Sequence, residues 1–163
     1  MPAELSSNTK DIIIKTTLNS LNALQIQNGA SHTELKVKPN GDIYIIEIGA
    51  RMGGDFIGSD LIPISTGYDY LAGVVQISLG EFHPPGKLEE IPTGIIYTLP
   101  SSESLDFNAL CSTNRVEIIK RSLITQNPRE KKKLAQSSDR CGYIIYKGNH
   151  ITKLDQLLTT HDL

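Results

Sequence analysis

Between residues 30 and 51 apolar and polar side chains alternate with a period of two, and a single turn interrupts them. Thr33, Leu35 and Val37 alternate with His32, Glu34 and Lys36; Pro39-Asn40-Gly41-Asp42 then leads into Ile43-Tyr44-Ile45-Ile46-Glu47-Ile48. Such alternation fits a half-buried strand, and Asn-Gly between two alternating runs is a strong local signal for a hairpin. An antiparallel pair is therefore fixed early, and the remaining elements must pack around it.

The turn also sets which side chains meet. A two-residue loop, Asn40-Gly41, and a four-residue loop, Pro39 to Asp42, give one register, with Glu34 opposite Glu47, His32 opposite Gly49 and Lys36 opposite Ile45. A three- or five-residue loop would send the two glutamates to opposite faces. Directly opposed side chains share a face, with Cβ atoms roughly 4.5–5.5 Å apart, and like charges there repel. A hard divalent cation such as Mg²⁺ offsets that repulsion, because it takes oxygens from one or two carboxylates and completes its shell with water and phosphate. Arg51 follows Gly49 on the same parity, so His32, Glu34, Lys36, Glu47 and Arg51 gather on one face. Next comes Met52-Gly53-Gly54-Asp55-Phe56-Ile57-Gly58-Ser59-Asp60, too rich in glycine for a regular element and suited to a backbone that approaches something closely. Carboxylates, a cation, an arginine and a glycine-rich loop at one sheet end suit phosphoryl chemistry. A solvent-facing strand pair whose charges are simply hydrated is the other reading of the same geometry.

Composition limits the alternatives. The 163 residues are 39% hydrophobic, about 47% apolar once the 13 glycines are counted, which is ordinary for a globular chain. That length allows one core or two small lobes, folded without disulfide staples. Sixteen Lys and Arg against eighteen Asp and Glu leave a charge of −2, too weak a field to point to nucleic acid or an anionic membrane as partner. No apolar run approaches the roughly 20 residues of a membrane span, and Met1-Pro2-Ala3-Glu4 is unlike a signal peptide, so the cytoplasm is the expected compartment. Cys111 and Cys141 stand without metal-ligand or CxxC spacing and read as half-buried thiols.

Elsewhere the pattern predicts a helix over 8–27, capped within Ser6-Ser7-Asn8, with Ile14, Leu18 and Leu21 as its apolar stripe and Asn28-Gly29 as its stop. A second helix is expected over 69–79, beginning at Asp69, with Leu71, Val74 and Val75 inward and Gly80 just past its end. Pro84-Pro85-Gly86 lies in a joint over 81–92, which divides the chain into 1–80 and 81–163. The second lobe reads as strands over 93–99, 116–121 and 142–147, paired antiparallel, with a final helix over 152–159. The fold class is thus α+β, an antiparallel sheet with packed helices followed by a small, mainly antiparallel α+β lobe. Arg129-Glu130-Lys131-Lys132-Lys133 has no interleaved aromatic residue and reads as a solvated turn. Glu103, Asp106, Glu117, Asp139, His83, His150 and His161 have no ligand-spaced partners.

Three runs, His32-Thr33-Glu34-Leu35-Lys36, Ile45-Ile46-Glu47-Ile48-Gly49-Ala50-Arg51 and Met52-Gly53-Gly54-Asp55-Phe56-Ile57, resemble the C-terminal half of the ATP-grasp fold. More narrowly they resemble carboxylate–amine ligases of the L-amino-acid ligase type, often called carbamoyl-phosphate-synthase-like. The likeness covers residues 8–80, and 81–163 resembles the small lobe that follows. It implies that ATP phosphorylates a substrate carboxylate and that an amine then attacks the acyl phosphate. On that basis Glu34 and Glu47 hold Mg²⁺, or Mn²⁺, against ATP. Arg51 steadies the transferred phosphoryl group and contacts substrate, and Gly53 and Gly54 pass close to the substrate carboxylate. His32 either orients Glu34 or acts directly.

Two departures stand out. Many members carry Asn where this chain has Gly49, which leaves two-metal binding open. The N-terminal domains and lid, which supply lysines, the adenine hinge and much of the pocket, do not precede residue 8. The chain therefore reads as a C-terminal piece, either cut from a longer polypeptide or naturally split, that is inactive alone and needs those domains in cis or trans. Its expected substrates are a small carboxylate and an amine; a homo-oligomer stays open. A non-catalytic binding or assembly module retaining part of the fold is the rival reading, and a carboxylase or a phosphoribosyl-substrate ligase is the other enzyme branch.

Overall fold

The structure, a computed structural model, describes residues 3, 5–98, 116–123, 140 and 142–148. The chain divides into two compact units, one of Ala3–Pro63 with Gly67–Leu88, the other of Ile64–Thr66 with Glu89–Leu163 and Met1–Pro2. The architecture is α+β with antiparallel sheets throughout.

In the first unit, helix α1 spans Ser7–Ala23 and starts where Ser6 Oγ accepts the Thr9 N–H at 3.2 Å. It closes short of residue 27 because Gln25 turns left-handed at φ 59°. The N–H groups of Gln25 and Ile26 then donate to the carbonyls of Asn22 and Leu21, satisfying the last turn before Asn28-Gly29 is reached. The expected stripe is also corrected: Leu21 is half-buried, but Ile14 and Leu18 are 57% and 55% exposed. Three consecutive isoleucines, Ile12 to Ile14, leave the helical phase ambiguous in sequence, and the covered side uses Ile13 with Thr16, Thr17 and Ser20.

Strands β1 (His32–Val37) and β2 (Ile43–Gly49) form the antiparallel hairpin. A π-helical turn over Ile57–Leu61 runs into α2 (Ile62–Thr66). Helix α3 spans Tyr70–Leu79; Asp69 caps its first turn by accepting the Ala72 N–H at 2.9 Å, and Gly80, at φ 72°, ends it. Its buried side centres on Gly73, where a Cβ would overlap the Tyr68 hydroxyl, with Val74 and Ile77 half-buried beside it. Leu71 and Val75, expected inward, face out because Tyr68 fixes the helix on its glycine side.

The second unit holds strands β3 (Thr93–Thr98), β4 (Glu117–Leu123) and β5 (Gly142–Lys147) in the order β3-β5-β4, all antiparallel as expected. Ile144, Ile145 and Tyr146 are consecutive and essentially fully buried, so the central strand is covered on both faces. Gly94 lies opposite Tyr146 in the ladder, and a Cβ there would come within 2.6 Å of the Tyr146 hydroxyl. Glu117 pairs with Lys147 across the ladder at 3.3 Å, a surface contact. In the same unit the Ile91 and Glu89 N–H groups donate to the carbonyls of Ser65 and Thr66.

The expected final helix over 152–159, the 129–133 charge run, both cysteines, Glu103, Asp106, Asp139, His150 and His161 lie outside the described residues. Among the described residues no helix is long and apolar enough to cross a membrane.

Candidate functional site

The hairpin places Glu34 directly opposite Glu47 and His32 opposite Gly49, as the register predicted, but it does so by a different route. Its loop has three residues, Pro39 to Gly41. The Gly41 N–H donates to the Lys38 carbonyl at 2.9 Å, the Lys38 N–H donates to the Asp42 carbonyl at 2.8 Å, and Gly41 is left-handed at φ 90°. This is a type I turn closed by a left-handed residue, a geometry that suits glycine. Near the turn, Leu35 therefore faces Ile45 and Lys36 faces Tyr44, which corrects the expected Lys36–Ile45 pairing.

A three-residue loop alone would put Thr33, not Glu34, across from Glu47. An irregularity between Glu34 and Leu35 on β1 matches one extra residue on β2, Ile46, which is left without a ladder partner and is 65% exposed. The bulge cancels the offset from the turn and restores the glutamate pair. Both carboxylates then stand on the open face, each side chain 55% exposed.

Each carboxylate has a basic neighbour. His32 Nε2 lies 3.4 Å from Glu34 Oε1, and Arg51 Nη2 lies 3.5 Å from Glu47 Oε1. The Arg51 side chain folds back over Gly49, its Cγ only 3.4 Å from where a Cβ would be, and its Nη1 donates to the Met52 carbonyl at 3.1 Å. Arg51 therefore lies alongside the Gly49 position at ordinary contact distance.

The glycine-rich segment follows at once. Gly53 sits so near β1 that a Cβ would lie 2.9 Å from His32 Nδ1 and 3.1 Å from Ile57 Cβ, whereas a Cβ on Gly54 would meet nothing within 4 Å. Asp55 and Phe56 are both left-handed, at φ 48° and 63°. Conformations of this kind cost of order 1–3 kcal/mol each in non-glycine residues and collect at ligand-binding loops. A Cβ at Gly58 would lie 3.2 Å from Met52 Sδ and 3.4 Å from the Tyr70 ring, so that position also sits close to its neighbours. Burial, and secondarily Tyr68, pushes the Tyr70 phenol above its usual range.

Two opposed carboxylates fit a hard divalent ion that draws its remaining oxygens from water and phosphate. Among the described residues no group of three or more His, Cys, Asp or Glu gathers, so they build no all-protein cage of the zinc kind. Sequence reasoning missed the bulge at Ile46 and the strained Asp55-Phe56 pair. The signal for the first was present: an Ile45-Ile46 doublet breaks the strict alternation just before Glu47.

No family model and no curated protein matches the chain. Among solved structures it is similar to the L-amino acid ligase from Bacillus licheniformis, at 24% identity and a TM-score of 0.73, covering 99% of this chain and 43% of that one. It is also similar to phosphoribosylglycinamide synthetase from Anaerococcus prevotii (20%, TM-score 0.64, 98% and 42%). A third similar structure is N5-carboxyaminoimidazole ribonucleotide synthetase from Thermotoga maritima (13%, TM-score 0.59, 98% and 42%). The fold is that of ATP-grasp ligases over part of their length. The chain spans less than half the length of each of these structures.

Proposed function

We propose that this chain forms the C-terminal part of an ATP-dependent carboxylate–amine ligase and supplies one wall of its phosphoryl-transfer site. The observation that carries this reading is the Glu34–Glu47 pair, held on one open face by two compensating irregularities, with Arg51 and the 52–58 loop beside it. In the reaction a substrate carboxylate oxygen attacks the γ-phosphorus of ATP, and ADP leaves. The amine then attacks the acyl carbon of the acyl phosphate, expels phosphate and loses a proton to give the amide. Glu34 and Glu47 would hold Mg²⁺ or Mn²⁺, which supplies charge neutralisation at the phosphates. Arg51, already turned along this face, is placed to stabilise the transferred phosphoryl group. Gly54, with open space before it, gives a carboxylate room to approach the backbone.

Positioning ATP from several sides is most of phosphoryl-transfer catalysis, so this wall alone is expected to be inactive. The missing walls are assigned to ATP-grasp domains in cis or trans. Exposed apolar side chains on α1 (Ile14, Leu18) and along one line of α3 (Leu71, Val75, Leu79) support a partnered unit over a self-contained binding module.

The acyl-phosphate route has an isotopic signature. With the complete ligase and a substrate carboxylate labelled with ¹⁸O, one labelled oxygen is expected in each inorganic phosphate released, read by mass spectrometry. Phosphate free of label during amide formation would contradict the route.

A further inference from the structure

We infer that His32 is a positioning residue that transmits the seating of the 52–56 loop to the Glu34 carboxylate; this rests on the metal-site reading above. His32 and Glu34 are two apart on β1 and so share a face, and His32 Nε2 lies 3.4 Å from Glu34 Oε1. The imidazole is only 21% exposed while Glu34 is 55% exposed, so the ring is the fixed member of the pair. The room beside it is limited on the side of Gly53. A Cβ at Gly53 would lie 2.9 Å from His32 Nδ1, closer than real Cβ contacts come, so only glycine lets the loop sit against the ring. On the opposite strand the ladder partner is Gly49, beside which the Arg51 side chain passes.

The ring therefore has the Cβ-less side of Gly53 beside one nitrogen and a carboxylate beside the other. A shift of the loop moves the ring, and the ring moves Glu34. Metal-ligand carboxylates depend on such outer contacts, whose loss costs about 10–100-fold in metal affinity. Coupling of this kind is reciprocal, so a cation at Glu34 also favours the seated loop, which the proposed function makes the substrate wall.

The test is Mn²⁺ binding by the 163-residue chain, followed by electron paramagnetic resonance, alongside the NMR signals of the His32 ring without metal. Gly53→Ala is expected to shift the ring signals and to weaken Mn²⁺ binding about tenfold, although residue 53 offers no ligand atom. His32→Ala should weaken binding similarly, and His32→Ala with Gly53→Ala should add nothing further. His32→Gln, whose amide can still donate to Glu34, should recover most of the affinity and so separate positioning from misfolding. Shifted ring signals with wild-type Mn²⁺ affinity in Gly53→Ala would overturn the positioning role while leaving the metal site standing. Wild-type protein that binds no Mn²⁺, or binds it equally well as Glu34→Gln, would overturn the metal-site reading and the inference with it.

Discussion

Glu47→Gln in the complete ligase is expected to lower Mg²⁺-dependent ATP cleavage by at least about a hundredfold, the scale seen when one electrostatic contact to developing charge is removed. The substitution keeps the size and one acceptor oxygen but removes the charge that, with Glu34, would hold the cation. The same change should leave the fold intact or slightly firmer. Directly opposed like charges destabilise a strand pair by some tenths of a kcal/mol, and Gln relieves that repulsion. The contact it loses, Arg51 Nη2 to Glu47 Oε1 at 3.5 Å, joins two groups more than half exposed and contributes little. Circular dichroism and thermal melting of the variant, run beside the ATP assay, separate these effects. Wild-type turnover would remove Glu47 from the metal site, and a large drop in melting temperature would make its role structural.

The largest expected effect on stability lies in the second unit. Ile145→Ala should destabilise that unit by about 2–5 kcal/mol, because the side chain is fully buried in the central strand and its removal leaves a cavity. Ile119→Ala is the internal comparison: that residue sits at a ladder irregularity on β4 and is 39% exposed, so its loss should cost clearly less. Urea unfolding of both variants measures the difference. Equal costs would mean that β5 is not the buried centre of the sheet.

The hairpin, the two helix caps and the three later strands were legible in the sequence because each depends on local chemistry: Asn-Gly at a turn, Ser6 and Asp69 at helix starts, Gly80 at a helix end, and short apolar runs bounded by breakers. Helix faces were less legible. In α1 the isoleucine run fits more than one phase, and in α3 the inward face is decided by Tyr68 lying on Gly73, a contact that no periodicity records. The glutamate pair was read correctly from a loop length that the chain does not use; the bulge at Ile46 made up the difference. Loop length and bulge are each a one-residue choice, and only their combination decides which face Glu47 takes. The close approach of Gly53 to His32 was not legible, since glycine next to a strand says that something comes near but not what.

In the proposed ligase Glu34 and Glu47 together form a divalent-cation site. Paramagnetic broadening by Mn²⁺, followed in the amide spectrum of the ¹⁵N-labelled chain, tests it most directly. The expected result is early loss of the signals of residues 33–35 and 46–48, abolished by Glu34→Gln or Glu47→Gln, while β5 stays sharp. Broadening centred elsewhere, or unchanged by either substitution, would contradict it.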